Sequence, residues 1–152
     1  MNAAPPKDPL VIALFSEIVM TEQLARNRLS RALPKGMELS QFMVLNQFAR
    51  LGGERTPAQL ARIFHVTKGA MTNTLHRLDA AGWVHIRPDW DDARRKWVSL
   101  SPAGQAARDE AVRAITPVFE DVLTRLGTER IRVALPFLRA LRETLVAEEP
   151  PR

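Results

Sequence analysis

Residues 56–104 constrain the fold more than any other stretch of the chain: TPAQLARIFHVTKGAMTNTLHRLDAAGWVHIRPDWDDARRKWVSLSPAG. Thr56 can cap a helix, Pro57 suits its first turn, and Gln59 stands where it can reach back to complete a capping box. Leu60, Ala61 and Phe64 then supply an inner face. The turn Phe64-His65-Val66-Thr67 follows, with His65 where a tight turn between helices often needs a left-handed backbone. His adopts that conformation more readily than most residues. Thr67 caps the next helix, which should run to about Ala81 and stop at Gly82. Residues 83–87 and 96–100 read as short strands around the loop 88–95. Helix, turn, helix and charged hairpin is the order of a winged helix-turn-helix, which lays one helix in the major groove of DNA.

At 100° per residue, Met71, Leu75 and Leu78 fall in one narrow arc of the second helix and predict its buried stripe. Gly69, Thr72, Asn73, His76 and Arg77 lie on the other side. Short and hydrogen-bonding side chains suit a helix pressed against base edges. Asn can pair bidentately with adenine, Thr can touch a thymine methyl, and Lys or Arg can hold phosphate or guanine. Gly69 costs roughly 1 kcal/mol relative to alanine inside a helix, which a close approach to the DNA backbone would explain. In the hairpin loop Asp89, Asp91 and Asp92 precede Arg94, Arg95 and Lys96. An Asp can orient a neighbouring Arg through a hydrogen bond, and an oriented Arg can enter a narrow minor groove. A solvated polar helix face and a charge-balanced surface hairpin are the bland readings of the same residues.

Around this core the chain reads as helices. Residues 1–9 form an arm rich in proline. Leu10, Leu14, Ile18, Leu24 or Ala25, and Leu29 give a helix to about Leu33, broken by Pro34-Lys35-Gly36. Ser40 is expected to cap a second helix carrying Phe42, Leu45, Phe48 and Ala49, which stops at Gly52-Gly53. Ser101-Pro102 opens a long helix in which Pro117 should kink or break the chain. Beyond Gly127-Thr128 a last helix covers residues 129–146, with Pro136 expected to disturb it.

Composition narrows the function. A length of 152 residues with 45% hydrophobic content suits one globular domain, and a formal charge of +5 favours a polyanionic partner. The absence of cysteine excludes a disulfide framework, a thiolate zinc site and a thiol sensor. No metal or other cofactor is expected, because His65, His76 and His85 lack ligand spacing. No apolar run approaches the length of a membrane span and the N-terminus lacks a secretory pattern, so a cytoplasmic protein is expected. No nucleophile–base pair, carboxylate dyad or phosphate-binding glycine loop is visible, which argues against an enzyme.

The wing residues Asp92-Ala93-Arg94 and Val98, followed by Leu100-Ser101-Pro102-Ala103-Gly104, resemble the MarR family of bacterial transcription regulators. Val66-Thr67-Lys68, residues 78–84 and Ser40-Gln41-Phe42-Met43-Val44-Leu45 resemble other parts of the same pattern. Trp90 stands where a proline is common, and Ala93 where a basic residue is frequent, with Arg95 available to supply the charge. The resemblance implies a mainly α single domain over residues 1–152. Its winged helix-turn-helix lobe spans 36–104, flanked by N- and C-terminal dimerisation helices at 10–33 and 105–148. Leu135, Leu138, Leu141 and Leu145 fit such a dimer face, or alternatively an intramolecular core.

The implied activity is that of a homodimeric repressor of a pseudo-palindromic operator in double-stranded DNA, released by a small aromatic or anionic effector. The alternative is a winged helix that binds protein or RNA. The residues assigned to DNA are Thr56, Thr67, Lys68, Gly69, Thr72, Asn73, His76, Arg77, Arg94 and Arg95, with Asp92 positioning the wing. Met20, Phe42, Met43 and Trp83 are candidates to line an effector cavity.

Overall fold

Hydrogen bonds between near neighbours set where four of the helices begin. The computed structural model describes residues 9–148, so all of the expected arm except Pro9 lies outside the described residues. The order is α1 (Leu10–Ala32), α2 (Leu39–Leu51), α3 (Pro57–Ile63), α4 (Lys68–Ala80), β1 (Val84–Pro88), β2 (Lys96–Leu100), α5 (Pro102–Leu126) and α6 (Thr128–Glu148). Thr56 caps α3 by accepting the Gln59 N–H at 3.2 Å, and the Gln59 side chain accepts the Thr56 N–H at 2.9 Å. Thr67 caps α4 by accepting the Ala70 N–H at 3.1 Å. Between them His65 takes the left-handed backbone that the turn requires, with φ of 53°.

Ser40 does not cap α2. That position belongs to Glu38, whose N–H is taken by the buried Gln41 side chain at 2.8 Å. The strand expected from Trp83 starts one residue later, at Val84, although the Trp83 carbonyl still accepts the Ser101 N–H at 3.1 Å.

The described residues fall into two compact units that divide at Ile115 and Thr116, inside α5. In the first, α2, α3, α4 and β2 share a core in which Leu45, Leu60, Leu78 and Val98 are fully buried, joined by Ala111 of α5. Each buried leucine contributes about 1.5–3 kcal/mol through burial. Met71, Leu75 and Leu78 form the expected stripe of α4, with Thr74 buried beside them. The second unit holds the end of α5 and all of α6.

The wing is an antiparallel pair in which Val84 faces Leu100 and Arg87 faces Trp97. Sequence reading missed a third contact, where Arg55 bridges Val98 through backbone hydrogen bonds of 3.0 and 2.9 Å. Ser101 is buried. Its hydroxyl donates to the Gly82 carbonyl at 2.6 Å and accepts the Gly104 N–H at 2.9 Å. Gly104 is required at this junction, since a Cβ there would lie 1.9 Å from the Trp83 carbonyl oxygen.

Neither internal proline breaks its helix: α5 runs through Pro117 and α6 through Pro136. Proline removes one N–H and frees the carbonyl four residues earlier. Arg113 and Arg132 occupy those positions and are exposed, so water can serve the freed carbonyls. Ala25 rather than Leu24 turns inward on α1, which has no buried residue. Among the described residues no helix is long and apolar enough to cross a membrane.

Candidate nucleic-acid interface

The N-terminal half of α4 and the wing border one groove of about 620 Å³. Its floor is the start of α3, from Thr56 to Gln59 with Arg62. Lys68 and Thr72 of α4 form one wall, and Asp92 with residues 94–97 forms the other. Arg62, Lys68, Arg94, Arg95 and Lys96 set five cations against the single carboxylate of Asp92. This excess of positive charge favours a polyanion over other ligands.

Asp92 and Arg94 are hydrogen-bonded to each other. Its Oδ1 accepts the Arg94 backbone N–H at 3.0 Å and the guanidinium Nε at 3.2 Å, leaving the Arg94 side chain 92% exposed. Asp89 organises the rest of the tip. Its Oδ1 accepts the Asp91 N–H at 2.9 Å, its N–H donates to the Arg95 carbonyl at 3.0 Å, and Arg95 approaches its carboxylate at 3.8 Å. The Asp91 N–H, followed by the Trp97 side chain and Arg95, holds the Asp89 carboxyl below the usual carboxylate range against partial desolvation. Trp90, between these aspartates, is 82% exposed.

The outward face of α4 carries Gly69, Thr72, Asn73, His76 and Arg77, all exposed. Nothing lies within 4 Å of a Cβ built on Gly69, so no internal packing demands glycine there. Thr72 donates its hydroxyl to the Lys68 carbonyl at 2.8 Å, which leaves its methyl and lone pairs outward. Two assigned residues are more engaged than expected. Thr56 is buried with its hydroxyl and N–H taken by the capping box, so it shapes the groove floor. Arg77 pairs with Glu38, at the N-cap of α2.

Arg62, Lys96, Gln59 and Trp97 also line the groove, and none was among the assigned residues. Arg62 stands three positions after Gln59 on the same helical face, a signal that was readable.

A family model described as MarR family matches residues 35–95. The multiple antibiotic resistance protein MarR of Escherichia coli (strain K12) is 30% identical over 120 residues, 74% of this chain and 83% of that protein. The chain belongs to the MarR family of transcription regulators.

MarR of Salmonella typhimurium is 36% identical over 97 residues, 63% of this chain and 67% of its own length. A crystal structure of a mutant MarR from E. coli complexed with operator DNA superposes with a TM-score of 0.74 at 26% identity, covering 86% of this chain and 94% of that one.

A second cavity, of about 410 Å³, lies between α1, α2 and α4. Ala25 and Leu29 of α1, Leu39, Met43 and Val44 of α2, Phe64 and Val66 of the turn, and Ala70, Met71 and Thr74 of α4 line it. Glu22 and Arg26, paired at 2.6 Å, are its charged residues. Of the four residues expected to line a cavity only Met43 does so. Phe42 is buried in the core, Trp83 packs against that core, and Met20 stands exposed on α1.

Proposed function

We propose that this protein is a homodimeric repressor that binds a pseudo-palindromic operator through α4 and the wing and releases it when a small ligand binds. The observation that carries the reading is the single cationic groove that brings Lys68 and Thr72 of α4 together with Arg94 of the wing. The start of a helix favours phosphate, and Lys68 at the first residue of α4 adds its charge there. Thr72, Asn73 and His76 then face base edges while Arg94 enters the minor groove. Arg77 joins them by exchanging Glu38 for phosphate.

Several facts support a dimer. Val19, Met20 and Leu24 stand exposed on α1, as do Val133, Phe137, Leu138 and Leu145 on α6. Apolar faces of this extent are covered in a soluble protein, and a second copy placed by the helices of 10–33 and 105–148 would cover them. The paired α4 helices would then meet successive major grooves. The lining of the second cavity suits a small aromatic molecule, and an anionic group on it would compete with Glu22 for Arg26. A ligand there releases DNA only by binding the free geometry more tightly than the DNA-bound one.

A gel shift tests the reading, using the DNA upstream of the protein's own gene and an unrelated duplex as competitor. The expected result is a specific complex that weakens steeply with salt, and weakens further in Arg94→Ala while the dimer persists. No shift at low salt, or wild-type binding by Arg94→Ala, would overturn it. Small aromatic acids that raise the melting temperature would identify the ligand class.

A further inference from the structure

Resting on the DNA-binding reading above, we propose that Glu54, Arg87, Trp97 and Asp89 form a strut that positions the wing, with Glu54 as its anchor and the aim of Arg94 as its output. A two-stranded hairpin is marginal by itself. Here the inner half of the wing is held by buried Val84 and Val98, whereas Pro88 and residues 93–96 are exposed and have no core beneath them. The position of the outer half has to come from polar contacts.

Those contacts form a continuous path. The segment between α2 and α3 is tied to β2 by the Arg55–Val98 backbone bridge. Glu54, the preceding residue, takes the Arg87 guanidinium on both carboxylate oxygens, with Nε to Oε1 at 3.0 Å and Nη2 to Oε2 at 2.6 Å. This two-pronged geometry fixes direction as well as distance. Arg87 faces Trp97 across the hairpin, and its guanidinium carbon lies 6.0 Å from the Trp97 ring centroid. Trp97 and Arg95 both act on Asp89, whose Oδ1 also holds the Asp91 N–H. The loop that starts the path also opens α3, the groove floor, so the strut sets the distance from that floor to Arg94.

The sign of the effect separates positioning from charge. Glu54 is an acid near a surface for a polyanion, and neutralising it should by simple electrostatics tighten DNA binding. The strut predicts the opposite. In the full-length protein, Glu54→Gln is expected to weaken binding of a fluorescein-labelled duplex from the gene's own upstream region by about three- to fivefold. Arg87→Lys keeps the charge but loses the two-pronged bond, and should weaken it similarly. In an Arg94→Ala background Glu54→Gln should cost nothing further, because its effect passes through Arg94.

Amide exchange without DNA provides a second readout: residues 89–95 should exchange faster in Glu54→Gln, with the amides of Leu45 and Leu60 unchanged. Binding equal to or tighter than wild type, an undiminished loss in the Arg94→Ala background, or unchanged exchange at the tip would each overturn the strut. Should the wild-type protein bind no DNA, the regulator reading falls and the exchange measurement still decides the strut.

Discussion

Replacing Gly69 with alanine should stabilise the fold while weakening its hold on DNA, and the two effects are separately measurable. Gly69 is the second residue of α4, is exposed, and would place a Cβ with nothing within 4 Å. Its backbone does not occupy the left-handed region, so alanine introduces no strain. The gain is the helix preference of alanine over glycine, about 0.5–1 kcal/mol at such a position. For a chain of this length that corresponds to a rise in Tm of roughly 1–4 °C.

On DNA the same methyl group works in reverse. If the α4 backbone approaches a phosphate or base edge at Gly69, the added carbon displaces the helix by about 1 Å. Hydrogen bonds of about 2.9 Å then stretch beyond useful length. Loss of one such charge-assisted contact amounts to about 1.5–3 kcal/mol, a reduction in affinity of at least about tenfold. Thermal denaturation and fluorescence anisotropy with a labelled operator duplex, at one fixed salt concentration, provide both numbers. A stabilised variant with undiminished affinity would refute close approach at Gly69. A destabilised one would refute the claim that this site has free space.

Gly104→Ala should behave oppositely, since the new Cβ meets the Trp83 carbonyl at 1.9 Å and backbone cannot yield cheaply. A destabilisation of about 1–3 kcal/mol or more is expected in urea denaturation, and a change below about 0.5 kcal/mol would contradict the packing at this junction. Acid should loosen the wing in a defined window. The Arg87 hydrogen bonds lower the Glu54 pKa, and the Asp91 N–H leads in lowering that of Asp89. Groups with depressed folded-state pKa values stabilise fully above their unfolded values, about 4.3 and 3.9, and lose that contribution as pH falls through the folded values. Tryptophan fluorescence and tip exchange should therefore hold steady from pH 7 to about 5 and change below about 4. Loosening between pH 7 and 5 would contradict the assignment.

Much of the candidate site was legible because its parts are local. The Thr56–Gln59 box, the Thr67 cap, the left-handed His65 and the Asp92–Arg94 pair each join residues no more than three positions apart. Helical geometry alone predicts Met71, Leu75 and Leu78 inward with Asn73 and His76 outward. Where local rules failed, a competing local or solvent effect prevailed. Gln41 selected Glu38 rather than Ser40 as the cap, and exposure let helices continue through Pro117 and Pro136.

The amino-acid order by itself determined the order of the elements, the Thr56 and Thr67 caps, the inward and outward faces of α4, and the Asp92–Arg94 pair at the wing tip. These depend on backbone geometry over a few residues, which a short sequence window contains in full. Only the tertiary structure decided that Glu54 holds Arg87 across 33 positions, that Glu38 holds Arg77 across 39, and that Asn46 holds Arg108 across 62. It also decided that Arg62 and Lys96 share a groove with Lys68 and Arg94, and that Met43 rather than Phe42 lines the second cavity. Exposed charges and cavity walls have no periodicity of their own. Their partners are set by how whole helices and the hairpin pack, and that follows from burying Leu45, Leu60, Leu78 and Val98 together.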